Sequence, residues 1–208
     1  QPDGSLPNGV GEVQTLGGVP YVRSATLLGL ETRPSEDFAL GFAAGFAVSG
    51  GIEDVTALPL QYGPTGSVRA RLGVSRIDGL TTTAQLSAAR FVTGQEQLVA
   101  QLTEAWDRQL SRAVLLTLGA GAALTREVVI AQQGIPGTYL EVLPVALASL
   151  SWRESEASQP LRVDTSLRLA PFADRFTGFV YERLEARAQG EWRPARDWLA
   201  MAATGGAL

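Results

Sequence analysis

The sequence predicts an all-β protein, an antiparallel up-and-down transmembrane β-barrel of about 10–12 strands. Three observations lead there. Apolar residues alternate with small or polar ones at a period of two along most of the chain. Hydrophobic residues make up 45% of the 208 residues, yet the longest apolar or glycine stretch, Phe38 to Val48, is about half the ~20 residues a spanning helix needs. All four tryptophans flank short charged links.

Taken in chain order, Val10 to Leu16 with Gly17-Gly18 as a tight link is expected to pair with Tyr21 to Thr32. Phe38 to Ser49 is the clearest strand. Phe38, Leu40, Phe42, Ala44, Phe46 and Val48 occupy one parity, and Ala39, Gly41, Ala43, Gly45, Ala47 and Ser49 the other. A strand displays those sets on opposite faces, while Gly41 and Gly45 disfavour a helix. Ser67 to Arg76 sets Val68, Ala70, Leu72 and Val74 against Arg69, Arg71, Gly73 and Ser75. Leu80 to Val92 and Gln97 to Trp106 alternate more weakly, and Ala113 to Glu127 pairs a leucine-rich parity with one carrying Gly119, Gly121 and Ala123. Tyr139 to Trp152, Leu161 to Phe172, Phe179 to Trp192 and Trp198 to Leu208 complete the set. The links form two classes. Short charged ones lie near residues 33–37, 76–79, 107–109, 153–160 and 193–196. They alternate with Gly-, Pro- and Gln-rich ones at 50–66, 93–96, 131–138 and 173–178, as a meander requires.

Two aromatic belts are expected from these links: Trp106, Trp152, Trp192 and Trp198 at one end, and Tyr139, Phe172 and Phe179, with Tyr62 and Phe91, at the other. The charged parity must then face the lumen, because a charge turned to lipid at mid-depth costs roughly 2–4 kcal/mol. That places Arg23, Arg69, Arg71, Arg162, Arg168, Arg183 and Arg187 inside with Glu31, Asp164, Glu185 and Glu191. The first expectation for this cluster is a set of salt-bridged ladders between neighbouring strands. The alternative is a constriction that favours anions.

Composition removes much chemistry. The chain has no cysteine, histidine or lysine, so its 17 basic residues are all arginine. Disulfides, thiolate or imidazole metal ligands, and Cys, His or Lys catalysis are excluded. No metal and no cofactor is expected. Net charge of −4 and the lack of a basic run argue against nucleic acid. Gly119 and Gly121 lack the further glycine of a nucleotide fingerprint, and Glu185 with Glu191 are read as partners of neighbouring arginines rather than an acid–base pair.

Over about Val10 to Leu208 these features resemble the bacterial outer-membrane β-barrel proteins, with residues 1–9 as an N-terminal extension. The resemblance is one of architecture. It implies the lipid bilayer as surroundings, the bacterial outer membrane as location, and a non-enzymatic scaffold role in an envelope assembly. Outer-membrane enzymes of this architecture depend on a histidine that this chain lacks. Protein partners are expected to meet loops 50–66 and 131–138. A small-solute, anion-favouring pore is the alternative. A soluble β-barrel or mixed-fold binding module is a further one, resting on helical spacing within Gln97 to Thr117, Glu182 to Gln189 and Ala195 to Ala203. Barrels of the class hold both termini in the periplasm and usually close on an aromatic residue. With the short charged links periplasmic, the strand from Trp198 runs upward and the count is odd. A twelfth strand is then expected, missing or supplied from elsewhere; ten strands in the opposite orientation is the alternative.

Overall fold

The computed structural model describes residues 12–16, 19–51, 59–130, 136–154, 161–173, 180–195 and 198–207. These form eleven strands: β1 Glu12–Leu16, β2 Val19–Thr32, β3 Phe38–Gly51, β4 Gln61–Gly73, β5 Asp78–Phe91, β6 Glu96–Gln109, β7 Val114–Val129, β8 Gly137–Arg153, β9 Leu161–Ala173, β10 Val180–Ala195 and β11 Trp198–Ala207. Every strand pairs antiparallel with the next, and strand order equals chain order. The sheet is open: β1 and β11 are its edges and, among the described residues, no pairing joins them. Because directions alternate, an odd count leaves these edges running the same way, as the parity argument expects.

No helix forms among the described residues. Gln97 to Thr117, where spacing also fits a helix, is split between β6 and β7. β6 is bonded along almost its whole length to β5 on one flank, from Asp78↔Arg108 to Arg90↔Glu96, and to β7 on the other. Two ladders outweigh a weak 3.6-residue stripe. The helical readings at Glu182 to Gln189 and Ala195 to Ala203 fail for the same reason, within β10 and β11.

Several link boundaries differ from those expected, and Arg193 to Ala195 of the link at 193–196 still belong to β10. The link placed at 50–66 is shorter, because Gly50 and Gly51 finish β3 and β4 begins at Gln61. Gly63-Pro64 imitates a turn, yet Pro64 lies opposite Phe46 in the β3–β4 ladder. The β4–β5 ladder skips both residues and resumes at Thr65↔Ser87, so the missing proline donor interrupts only one flank. A Cβ on Gly63 would lie 1.9 Å from the Ala88 carbonyl oxygen, so only glycine permits this approach. Gly137 and Thr138, assigned to the second loop, open β8. Residues 52–58 and 131–135 lie outside the described residues.

The hairpin ends are built locally. After β4, the Ser75 hydroxyl accepts the backbone N–H groups of Ile77 and Asp78, at 3.2 and 3.0 Å. After β6, Ser111 accepts from Ala113 N–H at 3.2 Å. Serine at the second position of both links fixes the same tight reversal. The link expected at 107–109 therefore sits at 110–113, with Asp107 to Gln109 still in β6.

Burial is inverted relative to a water-soluble protein. Ser49, Thr81, Gln97, Ala123, Thr125, Glu127, Val145 and Ala170 are buried and share one register face. Leu28, Leu30 and Val142 stand on the other, 76%, 68% and 69% exposed. The sheet curls around the polar face. Glu127 of β7 accepts the Val180 N–H of β10 at 2.7 Å, although strands three apart in a flat sheet lie about 14 Å from each other. Ala123, Val145 and Ala170 pack together inside this curl.

Candidate functional site: the polar inner face

The strand registers lay the inner residues in rows. One runs Ala39, Arg71, Thr81, Ala105, Gly119, Leu147, Arg168, Glu185, and another Gly41, Arg69, Thr83, Thr103, Gly121, Val145. From β3 to β7 the wall is made almost entirely of Gly, Ala, Ser, Thr and Gln. Arg69 and Arg71 are the long cationic exceptions. Arg69 lies between Gly41 and Thr83, and Arg71 between Ala39 and Thr81. No acid flanks either, and among the described residues neither makes an ion pair. Thr81, 5% exposed beside Arg71, has a buried hydroxyl oxygen without a hydrogen-bond partner. The two arginines share this wall with the carboxylates of Asp107 and Glu127, so its described charges balance over a floor of small side chains.

The wall from β9 to β10 is different. Arg162 Nε lies 2.6 Å from Asp164 Oδ2. Register sets Glu191 opposite Arg162, Glu185 opposite Arg168, and Gln189 opposite Asp164. Arg187 Nη2 donates to Gln189 Oε1 at 3.0 Å, and the Arg183 guanidinium stacks 4.8 Å from the Phe172 ring centroid. Opposite charges thus stand close on this wall, with Arg162–Asp164 the ion pair formed among its described residues. Of the remaining residues assigned to the cluster, Glu31 sits at the rim, where Arg33 Nη2 binds it at 3.0 Å. Arg23 is placed by register between Glu12 and Ser49.

The aromatic belts divide. Trp106 pairs with Leu80 and Leu118, Trp152 with Val114 and Val163, and Trp192 with Leu161, all on the outer register. They stand at the same end of the sheet, where Trp198 starts β11. Trp106 Nε1 donates to Asp78 Oδ1 at 3.2 Å, and the Arg108 guanidinium lies 5.5 Å from its ring, giving the indole the wet partner an interface requires. The second belt fails in part. Tyr139 shares the inner row of Glu127, Phe172 the parity of Arg162 to Ala170, and Phe91 is buried within. Nearness to a link does not set the face of these aromatics; parity does, and a one-residue offset changes it. Phe179 lies outside the described residues. At this end the outer aromatics include Tyr62 and Phe46, their centroids 6.4 Å apart.

Three features went unnoticed in the sequence. Glu127 carries on the parity of Ala123 and Thr125, which was its signal. Thr117 donates to Asp107 Oδ1 at 2.6 Å across the inner β6–β7 ladder. Glu104 stands on the outer row, between Leu102 and Trp106 and opposite Thr82 and Ala120. A groove of about 890 Å³ crosses that outer surface where Ala44, Gly66, Ala84, Ala100 and Ala122 lower it between larger neighbours.

A meander of long antiparallel strands, polar on its concave face, apolar on its convex face and edged with tryptophan, is a β-barrel of the outer-membrane type. The chain belongs to the EpsX exopolysaccharide export family, whose model matches residues 1–208. Among solved structures it is similar to the translocator domain of the autotransporter NalP from Neisseria meningitidis. The identity is 15%, the match covers 95% of this chain and 78% of that one, and the TM-score is 0.55, so the likeness concerns the fold. No curated protein matches the chain.

Proposed function

We propose that this protein acts at the bacterial outer membrane as a non-enzymatic barrel through which exopolysaccharide passes. The family supplies the export context. The observation that carries the reading is the smooth inner wall from β3 to β7, where small side chains leave the lumen side clear and, among the described residues, Arg69 and Arg71 make no ion pair. A wall meant only to fill an interior would carry long charged side chains opposite one another, as the β9–β10 register does. Passage is thus favoured over the scaffold role that sequence alone suggests, with the links at 52–60 and 130–136 as contact surfaces for envelope partners. The expected absence of catalysis rests on the lack of histidine, cysteine and lysine.

The test has two arms. Loss of the protein is expected to abolish surface exopolysaccharide while polymer accumulates in the cell. In planar bilayers the protein is expected to conduct with anion preference. Closed bilayers with normal export from deletion cells refute passage.

A further inference from the structure

At the end of the sheet away from the tryptophans, β8 parts from β9. The two pair only from Ala146↔Leu169 to Arg153↔Arg162, although β8 extends back to Gly137 and β9 on to Ala173. Behind this fork lies a cavity of about 400 Å³ lined by Thr125 and Glu127 of β7, Tyr139 and Glu141 of β8, and Val180 and Tyr181 of β10. The volume is in the range of small-ligand sites, roughly 300–1,000 Å³. Glu127 fixes the cavity by accepting the Val180 N–H, and the Thr125 hydroxyl donates to the Glu141 carbonyl at 3.4 Å. The two tyrosines stay accessible, Tyr139 at 40% and Tyr181 at 50% exposure.

We propose that this cavity is a binding subsite for an uncharged sugar unit of a passing glycan, an inference that rests on the export reading and names the chemistry of one contact. Tyrosine rings offer apolar faces to the C–H side of a pyranose and a hydroxyl to its rim. Two carboxylates accept hydroxyl protons, which a hydroxyl-rich, uncharged ring supplies in excess. The same carboxylates repel an acidic sugar, and no arginine lines the cavity. A divalent cation is a poorer fit. Ca²⁺ takes about six to eight oxygens, and among the described residues no group of three acidic side chains gathers. Division of labour along the lumen follows: Arg69 and Arg71 set the charge preference, and the fork reads uncharged rings.

Neutral hexasaccharides of glucose, galactose and mannose are titrated by calorimetry into the full chain in detergent micelles, with hexaglucuronate and calcium chloride alone as the contrasting probes. At least one neutral hexasaccharide is expected to bind saturably. Tyr139→Ala and Tyr181→Ala each weaken it about tenfold, whereas Tyr181→Phe stays within about twofold. Heat-modifiable gel mobility confirms that each variant is folded, and the phenylalanine variant keeps the test valid where an alanine variant is not. Saturable binding of hexaglucuronate or calcium in preference, or undiminished sugar binding by the double alanine variant, overturns the subsite. Failure of every neutral probe while deletion cells lose export removes the subsite and leaves the export reading intact. Sugar binding by micelles while deletion cells export normally does the reverse.

Discussion

The inner walls of β3–β7 and β9–β10 share one fold and one parity rule, yet they use it in opposite ways. On the first, Gly41, Gly121, Ala43 and Ala123 keep the wall low, and among the described residues Arg69 and Arg71 make no ion pair. On the second, Glu191 and Glu185 stand opposite Arg162 and Arg168 in register, and Arg162 binds Asp164 of its own strand. Alternation alone does not decide whether a lumen wall is clear or filled. The decision lies in side-chain length and in the charge of the residue directly opposite.

The largest effect that probes this difference is on the outer face that both walls share. Leu102→Arg, at an exposed outer site in the middle of β6, is expected to cost roughly 2–4 kcal/mol in lipid vesicles. Gln101→Arg, one residue away on the inner wall, should change stability by less than about 0.5 kcal/mol. Urea unfolding of the vesicle-inserted protein measures both; equal costs would contradict the face assignment.

Next in size is a pair of glycines. Gly63→Ala on the first wall drives a Cβ into the Ala88 carbonyl and is expected to cost about 1–3 kcal/mol. Gly190→Ala on β10 meets nothing within 4 Å and should be neutral or stabilise by about 0.5–1 kcal/mol. Urea midpoints of the two variants, compared at constant slope, read the contrast directly.

Charge comes third. Arg69→Glu with Arg71→Glu is expected to reverse the anion preference of the bilayer current, because it leaves that wall with acidic side chains alone, Asp107 and Glu127 included. Arg162→Glu should shift the reversal potential less, since Glu191 and Asp164 already surround it. Reversal potentials under a salt gradient rank the three proteins, and an equal shift from Arg162→Glu would erase the distinction between the walls. The smallest effect is on the paired side. Asp164→Asn leaves Arg162 short of its partially exposed partner and should cost no more than about 1 kcal/mol, reduced by added salt. A salt-independent loss of several kcal/mol would show that this pair is a buried structural element instead.

Most of the architecture was legible. Ten of the eleven strand segments read from the sequence match strand cores to within a few residues because a half-lipid, half-lumen strand must alternate, and the other, β4, was shortened by Gly63-Pro64, whose composition is that of a turn. Phe172 shows where the reading was weakest. Its parity with Arg162 and Arg168 was visible, yet its nearness to a link suggested an interface, and the structure turns it inward under Arg183. The fork between β8 and β9, and the bridge from Glu127 to Val180, had no sequence signal, because both depend on where a ladder stops and on contact between strands distant along the chain.

Period-two alternation, turn chemistry and the end-placed tryptophans are local properties, and they were enough to dictate the meander and its faces. Which inner residues meet is a matter of register and of how tightly the sheet curls. Those depend on pairing across the chain, and it is the tertiary structure that set Arg69 and Arg71 between small neighbours, paired Arg162 with Asp164 and opened a cavity behind Tyr139 and Tyr181.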